Sequence, residues 1–454
     1  MKAVIVGGGK VGELLCKDLS NSYQEVTLIE INEKKVEEII EDYDIQGLCG
    51  NGANYKTLEE AQVENADMFI SVTASDEINM ISCIVAKKLG VKYTIARVRD
   101  PEYSKTKDFL KKSLGIDLII NPDYEAAKKI FYMLKYPTAH KVESFSGNRF
   151  NILEVLINEN SLLKNISLAE SKQIIDFPAL VCLVERGDDV IVPKGDYIFK
   201  VGDKLHITAD NKNLKKFYKL LGNKENLDNR LSSALIIGAG RTGTYLVDFL
   251  QKNNFYIKVI ENNKEKALAI SELYPDIDVI LADGSDKNIL IEEGIETFDS
   301  CISLTGVDEE NIIISLYADK LGVKKPIAKI NRDSLKQIAE DIGQYSYVTP
   351  KELVSNIIAK NSKSLQCRKA LDILNFYRIA NNQVEMIEFN IITDSKVLGH
   401  KLKDLDINKN ILIAFIVRDN KQIFPSGNDE IKLNDHVVII NYKQKIEHID
   451  DILI

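Results

Sequence analysis

Through the first 135 residues, short apolar runs rich in β-branched side chains alternate with stretches whose apolar positions recur at helical spacing. Lys2–Val6 reads as a strand, Lys10–Ser20 as a helix, Glu25–Glu30 as a strand and Glu33–Asp42 as a helix. Later runs at Met68–Val72, Tyr93–Val98 and Leu118–Ile120 continue the alternation. Uninterrupted apolar strands separated by helices predict a parallel sheet covered on both faces. Asn121-Pro122-Asp123 then opens a helix, with Asn as its cap and Pro in its first position. Beyond it the texture changes to short strands and turn signals over 143–210, among them Arg186-Gly187-Asp188, Pro193-Lys194-Gly195-Asp196 and Val201-Gly202-Asp203. That is a small β-rich lobe, with too little chain for a full catalytic domain.

The pattern then starts again. Ala3 to Gly12 (AVIVGGGKVG) matches Ala234 to Gly243 (ALIIGAGRTG) at an offset of 231, and Glu30 matches Glu261. Thr73, Asp76 and Asn79 match Thr305, Asp308 and Asn311 at 232, as Leu89-Gly90-Val91-Lys92 matches Leu321-Gly322-Val323-Lys324. Arg186, Pro193, Gly195 and Asp203 match Arg418, Pro425, Gly427 and Asp435 at the same offset, and Thr349-Pro350-Lys351 repeats the helix opening. A displacement that steady marks a tandem duplication. The expected fold class is α/β, with two tandem Rossmann-type doubly wound parallel sheets, each followed by a small α+β C-terminal lobe. The expected units are 1–135, 136–222, 231–363 and 364–454, with the joint at Leu221–Arg230.

Composition narrows the function. The 454 residues are 45% hydrophobic and 28% charged, an ordinary globular balance. The longest apolar run, Ile411–Val417, is far short of the about 20 residues a membrane span needs. The apolar start reaches three glycines by Gly7, too soon for a signal peptide. Six scattered cysteines without a C-x-x-C pair read as buried apolar groups in a reducing compartment. A net charge of −9 disfavours nucleic-acid binding and direct attachment to anionic lipid. The expectation is a cytoplasmic, multidomain protein.

Candidate chemistry centres on two glycine loops. Gly7-Gly8-Gly9-Lys10-Val11-Gly12 and Gly238-Ala239-Gly240-Arg241-Thr242-Gly243 both fit G-x-G-x-x-G between a strand and a helix, the context a dinucleotide loop requires. The first glycine permits a tight turn, the second a close approach of a pyrophosphate, the third close helix–strand packing. Glu30 and Glu261 each fall 18 residues after the last glycine, near the spacing expected for an acid on a ribose diol. No Arg follows either, so a 2′-phosphate is disfavoured. A scaffold that has lost its ligand is the plainer alternative. Asn51 and Asp283 follow the third strand, within reach of adenine or adenosine ribose, and Thr73 and Thr305 end the fourth. Asp76 and Asp308 suit helix capping or the ligand, and Asn79 and Asn311 suit internal packing equally. Arg97 and Lys329 end the fifth strand and could face phosphates, while Arg99, which is Asn331 in the second copy, suits surface or interface. None of the five histidines lies near a glycine loop or shows metal-ligand spacing, so no metal site and no catalytic residue is expected.

With Thr73-x-x-Asp76-x-x-Asn79 after strand four, and Arg-Gly-Asp, Pro-x-Gly-Asp and Gly-Asp in the lobe, the chain resembles the RCK (or KTN) regulatory domains of potassium channels and transporters. Two units in tandem without a membrane span resemble the soluble members of that family. The resemblance implies a non-enzymatic, peripheral protein at the inner face of the membrane, assembled into a homotetrameric ring under a separate potassium-translocating membrane subunit. It implies NAD(H) or adenine nucleotides (ATP, ADP) bound by Gly7, Gly9, Gly12 and Glu30, and by Gly238, Gly240, Gly243 and Glu261. The family usually has Asp where this chain has Asn51, so the first site keeps hydrogen bonding there but loses a charge. A soluble NAD-dependent oxidoreductase with two fused cofactor domains is the alternative from another class. A purely structural assembly protein is a third.

Overall fold

A computed structural model of the chain describes residues 1–454 except 21–24, 138–140, 146–149, 188, 222–230, 345, 367–372, 380–382, 393–394, 420, 443, 445 and 447. Asp188, Cys367 and all but the first residue of the expected joint at 221–230 therefore lie outside the described residues. In the first half, strands β1 (Lys2–Val6), β2 (Glu25–Glu30), β3 (Gln46–Cys49), β4 (Met68–Ser71), β5 (Tyr93–Arg97) and β6 (Leu118–Ile120) form one parallel sheet. Their order is β3-β2-β1-β4-β5-β6, so chain direction across the sheet reverses between β1 and β4. That switch point opens a crevice at the carboxyl ends of the strands, where such folds bind ligands. Strands four and five each end one residue earlier than the apolar pattern implied.

Five antiparallel strands make the first lobe: β7 (Lys141–Phe145), β8 (Phe150–Leu156), β9 (Ala179–Arg186), β10 (Asp189–Ile191) and β11 (Lys204–Ala209), ordered β10-β9-β11-β8-β7. The second half repeats both sheets. Its parallel strands are β12 (Ser233–Ile237), β13 (Tyr256–Glu261), β14 (Asp278–Leu281), β15 (Ser300–Ser303), β16 (Lys325–Lys329) and β17 (Tyr347–Val348). Its lobe holds β18 (Ile373–Ile379), β19 (Val384–Asn390), β20 (Ile411–Arg418), β21 (Lys421–Ile423) and β22 (His436–Tyr442). Both orders match those of the first half. Among the described residues, no helix is long and apolar enough to cross a membrane.

The halves are interlocked through the helices that leave each parallel sheet. The first crossover helix, Pro122–Lys135, is capped by Asn121, whose Oδ1 accepts from Asp123 N and Tyr124 N. Its Ala126, Ala127, Ile130, Met133 and Leu134 are buried in one cluster with Ala234, Ile236, Leu246, Val247 and Leu250 of the second half. Reciprocally, Val354 and Ile358 of the second crossover helix, Pro350–Gln366, share a core with Ala3, Ile5, Leu15 and Leu19. Tyr124 adds edge-on contact with Tyr245, 5.5 Å between ring centroids, and Phe131 stacks on Phe249 at 5.9 Å. The lobes also pack on each other, with Ile152, Cys182 and Leu183 against Met386, Phe415, Val438 and Ile440.

Candidate functional site

Each glycine loop begins as β1 or β12 ends. Gly7 N donates to Ile29 O (2.8 Å) and Gly238 N to Ile260 O (2.8 Å), so the loop stays attached to the neighbouring strand. Gly7 and Gly238 turn with φ of +101° and +104°, a region that disfavours a side chain. A Cβ on Gly12 would stand 1.8 Å from Gly7 O, and one on Gly243 2.4 Å from Gly238 O, so these positions hold the helix against the strand. Gly9 and Gly240 differ, because nothing lies within 4 Å of where their Cβ would be. That open side, next to the free N–H groups of a helix start, admits a pyrophosphate.

The expected acidic partners reach these loops. Glu30 Oε2 accepts from Gly8 N (2.6 Å) and its Oε1 from Asn32 N (3.0 Å). Glu261 does the same with Ala239 N (2.6 Å) and Asn263 N (2.8 Å). A carboxylate has about four lone-pair sites, so each oxygen keeps one for a ribose hydroxyl. The residues present therefore fit a nucleotide. Glu261 is buried, at 6% exposure, whereas Glu30 is half-buried. Lys10 and Arg241 are exposed at the helix starts, Val11 is half-buried and Thr242 is buried.

Asn51 and Asp283 are exposed and close the same local turn, accepting from Ala53 N (2.9 Å) and Ser285 N (2.9 Å) respectively. Hydrogen bonds from Ser285 hold the Asp283 carboxyl below its ordinary range. Asn79 is fully buried and ties two strand ends together. Its Oδ1 accepts from Thr73 N (2.7 Å) and Thr73 Oγ1 (2.8 Å), and its Nδ2 donates to Arg97 O (2.8 Å). Asn311 likewise joins Thr305 to Lys329. Asp76 and Asp308 are not the caps of their helices: Ser75 caps the first, and Val307 stands at the second without a side-chain bond. Instead Asp76 Oδ2 accepts from Arg99 N and Asp100 N, both at 2.8 Å, and Asp308 holds Asn331 N and Arg332 N. Arg97 Nη2 bonds the carbonyl of Thr73, and Lys329 Nζ that of Leu304 (3.0 Å). Burial pushes Arg97 down to about 10, aided by the Arg99 charge, and lowers Lys329 as well.

The TrkA-N domain family matches residues 3–122 and 234–350, and the TrkA-C domain family matches 152–222 and 386–454. The chain belongs to the TrkA family. It is 29% identical over 456 residues to a Trk system potassium uptake protein TrkA homolog of Archaeoglobus fulgidus, covering all of both chains. It is 31% identical over 449 residues to homolog 1 of Methanosarcina mazei, covering 97% of each. Among solved structures, a GsuK channel bound to NAD superposes with a TM-score of 0.60 at 16% identity, over 97% of this chain and 77% of that one. At that identity the likeness is one of fold.

In this TrkA-family chain, the lobe residues that repeat in sequence form a clip. Arg186 grips Asp203 through Nε (2.7 Å) and Nη2 (2.8 Å), and Arg418 grips Asp435 in the same way. Asp203 and Asp435 are almost fully buried. The pairing raises the Arg186 pKa through its hydrogen bonds to Asp203. These residues shape the lobe and are remote in role from the glycine loops.

Residue patterns passed over two features. Glu154, Glu185 and His206 meet inside the first lobe, with His206 Nε2 2.6 Å from Glu185 Oε1 and 4.0 Å from Glu154 Oε2. They sit on three strands whose pairing no spacing announces. The second feature is the crevice of the second glycine loop. There a cavity of about 470 Å³ is lined by Gly240, Arg241 and Lys266 from the second half and by Arg99 and Asp123 from the first. Asp123 was visible only as the second residue of a helix. The crossover exchange is what brings it to the other half's loop.

Proposed function

We propose that this protein is a regulatory subunit of potassium uptake that binds NAD(H), ATP or ADP at its two glycine loops and thereby gates a separate potassium-translocating membrane subunit. The observation that carries the reading is the pair of glycine loops, each with a glutamate bonded to its second residue, in halves locked together by exchanged helices. A ligand shifts a conformational equilibrium only by its differential affinity for the two states. Helices shared between halves supply an element whose seating a ligand in either crevice can bias. The potassium-uptake names of the relatives and the NAD carried by the GsuK channel support the same reading.

The proposal assigns no catalytic step. Glu30, Asp76, Asn79 and Arg97 are each engaged with main-chain groups, which suits positioning and binding rather than proton transfer. Its binding residues are Gly7, Gly8, Gly9, Lys10, Val11, Gly12, Glu30, Asn51, Thr73 and Arg97 in the first half. In the second they are Gly238, Ala239, Gly240, Arg241, Thr242, Gly243, Glu261, Asp283, Thr305 and Lys329. The working units are 1–135, 136–222, 231–363 and 364–454, assembled as a homotetrameric ring on the cytoplasmic side and held at the membrane through the partner.

Titration of the purified chain with NADH, NAD, ATP and ADP tests the sensor. Saturable binding of at least one is expected, and none by any of the four sinks the reading. Steady hydride turnover at 340 nm with a substrate panel would favour the oxidoreductase instead. Potassium flux through vesicles carrying the membrane subunit, with and without this chain and nucleotide, tests the gating.

A further inference from the structure

The repeat makes each lobe a control for the other, and the two differ at one buried spot. In the first lobe Glu154 stands opposite His206 across the β8–β11 pair, and Glu185 of β9 stands opposite Lys204, diagonal to His206. The same positions in the second lobe hold Glu388 opposite Val438, and Val417 opposite His436. The glutamate is repeated, whereas two buried valines of the second lobe are a histidine and a glutamate in the first. Ionisable groups in place of packed valines cost stability unless they meet partners of opposite charge. Here two carboxylates share one imidazole. His206 Nε2 is 2.6 Å from Glu185 Oε1 and 4.0 Å from Glu154 Oε2. Lys325, fully buried on β16 of the second half, also faces the cluster: its Nζ donates to Ser346 Oγ (2.9 Å), and the Glu154 charge favours its ammonium form.

The three side chains offer donor atoms that all lie within 4.8 Å of one another, the one such convergence of His, Cys, Asp and Glu among the described residues. Ligands of a tetrahedral zinc-class ion stand about 3.3 Å apart. That value falls between the 2.6 Å and 4.0 Å seen here, so each separation needs to change by about 0.7 Å. We propose that Glu154, Glu185 and His206 form a binding site for one divalent transition-metal ion of the zinc class, a site that the second lobe lacks. The proton held between His206 Nε2 and Glu185 Oε1 leaves to solvent as the ion takes its place. An imidazole among the ligands favours zinc over calcium or magnesium, which take oxygen donors. The ion pins β8, β9 and β11 together on the face that carries Ile152 and Leu183, which pack on the second lobe. This site is separate from the glycine loops and does not depend on nucleotide binding.

The test uses the full chain, stripped with a chelator and free of nucleotide, titrated with zinc by calorimetry and with cobalt(II) by visible absorption. One zinc ion per chain is expected, with a heat that varies with the buffer because a proton is released. The melting temperature is expected to rise with zinc, and cobalt(II) to show the strong visible bands of a four-coordinate ion. His206→Val, which copies Val438, and Glu185→Gln, which keeps a hydrogen bond to His206, are each expected to weaken zinc at least about tenfold and to remove the cobalt bands. His436→Gln, in the second lobe, is expected to leave both unchanged. Melting curves in chelator check that the variants fold, and Glu185→Gln decides alone if His206→Val does not. Wild-type protein without one-to-one zinc binding overturns the site, as does a folded Glu185→Gln protein within twofold of wild type. Calcium bound as tightly as zinc overturns the assignment to the zinc class.

Discussion

At the scale of single residues, the glycines of one loop do opposite work. Gly7 is conformational, because φ of +101° and a Cβ 3.0 Å from Thr73 N penalise any side chain. Gly7→Ala should therefore cost about 2 kcal/mol of stability. Gly9 faces open space, so Gly9→Ala should leave the melting temperature nearly unchanged while weakening nucleotide binding. Melting curves and titrations of the two variants separate these roles. Asp299 makes a second residue-scale case. Burial alone would raise its carboxyl, but hydrogen bonds from Lys324 and Ser232 pull it down to about 2, from 3.8 when unpaired. A lowered carboxylate stabilises fully above its unfolded pKa, and that stabilisation is lost as pH falls through the folded value. Asp299→Asn should be less stable than wild type at pH 6, with the gap in urea midpoint closing between pH 4 and 2.

At the scale of elements, most of the first parallel sheet was legible because β1, β4 and β6 are apolar runs, whereas the exposed β3 (Gln-Gly-Leu-Cys) carries no such pattern. Asn121 and Pro122 announce a helix and the structure has it, capped as expected. The amphipathic face of that helix says that a side is buried but not in whose core. Ile130 and Met133 could have covered their own sheet equally well by pattern, and they cover the other half's instead. Asp76 and Asn79 were ambiguous for a related reason. Their partners, the main-chain groups of Arg99 and Arg97, sit about twenty residues on and meet them only through parallel pairing of β4 with β5. The exchange of helices carries a prediction of its own. A chain ending at residue 222 leaves Ala126, Ile130 and Met133 without their partners and should self-associate. A monodisperse monomer in light scattering would contradict it.

At the scale of the molecule, the duplication was the most readable feature, since an offset constant to one residue survives from the glycine loops to the lobe clips. The clips also show which repeated residues serve structure. Arg186→Gln removes the cation from the buried Asp203 carboxylate, leaving it the Tyr197 hydroxyl and Lys200 N, and should cost about 2 kcal/mol, discounted because the guanidinium is one-third exposed. The loss should appear in lobe stability by denaturant unfolding and leave ADP affinity unchanged. What the repeat concealed was difference. Aligned halves suggest equal sites, yet Asp123 faces Thr242 where the counterpart pair is Lys351 and Val11.

The exchanged crossover helices give that divergence its freedom. Two separate copies of one unit that traded helices would have to be self-complementary, since every change in one surface would appear in both. Joined in one chain, the partners always meet in equal number and in fixed roles. Thr242 can then be matched to Asp123 without any demand on Val11 or Lys351. Fusion turns a symmetric pair into an obligate heterodimer, in which one crevice can specialise while the other keeps the original arrangement.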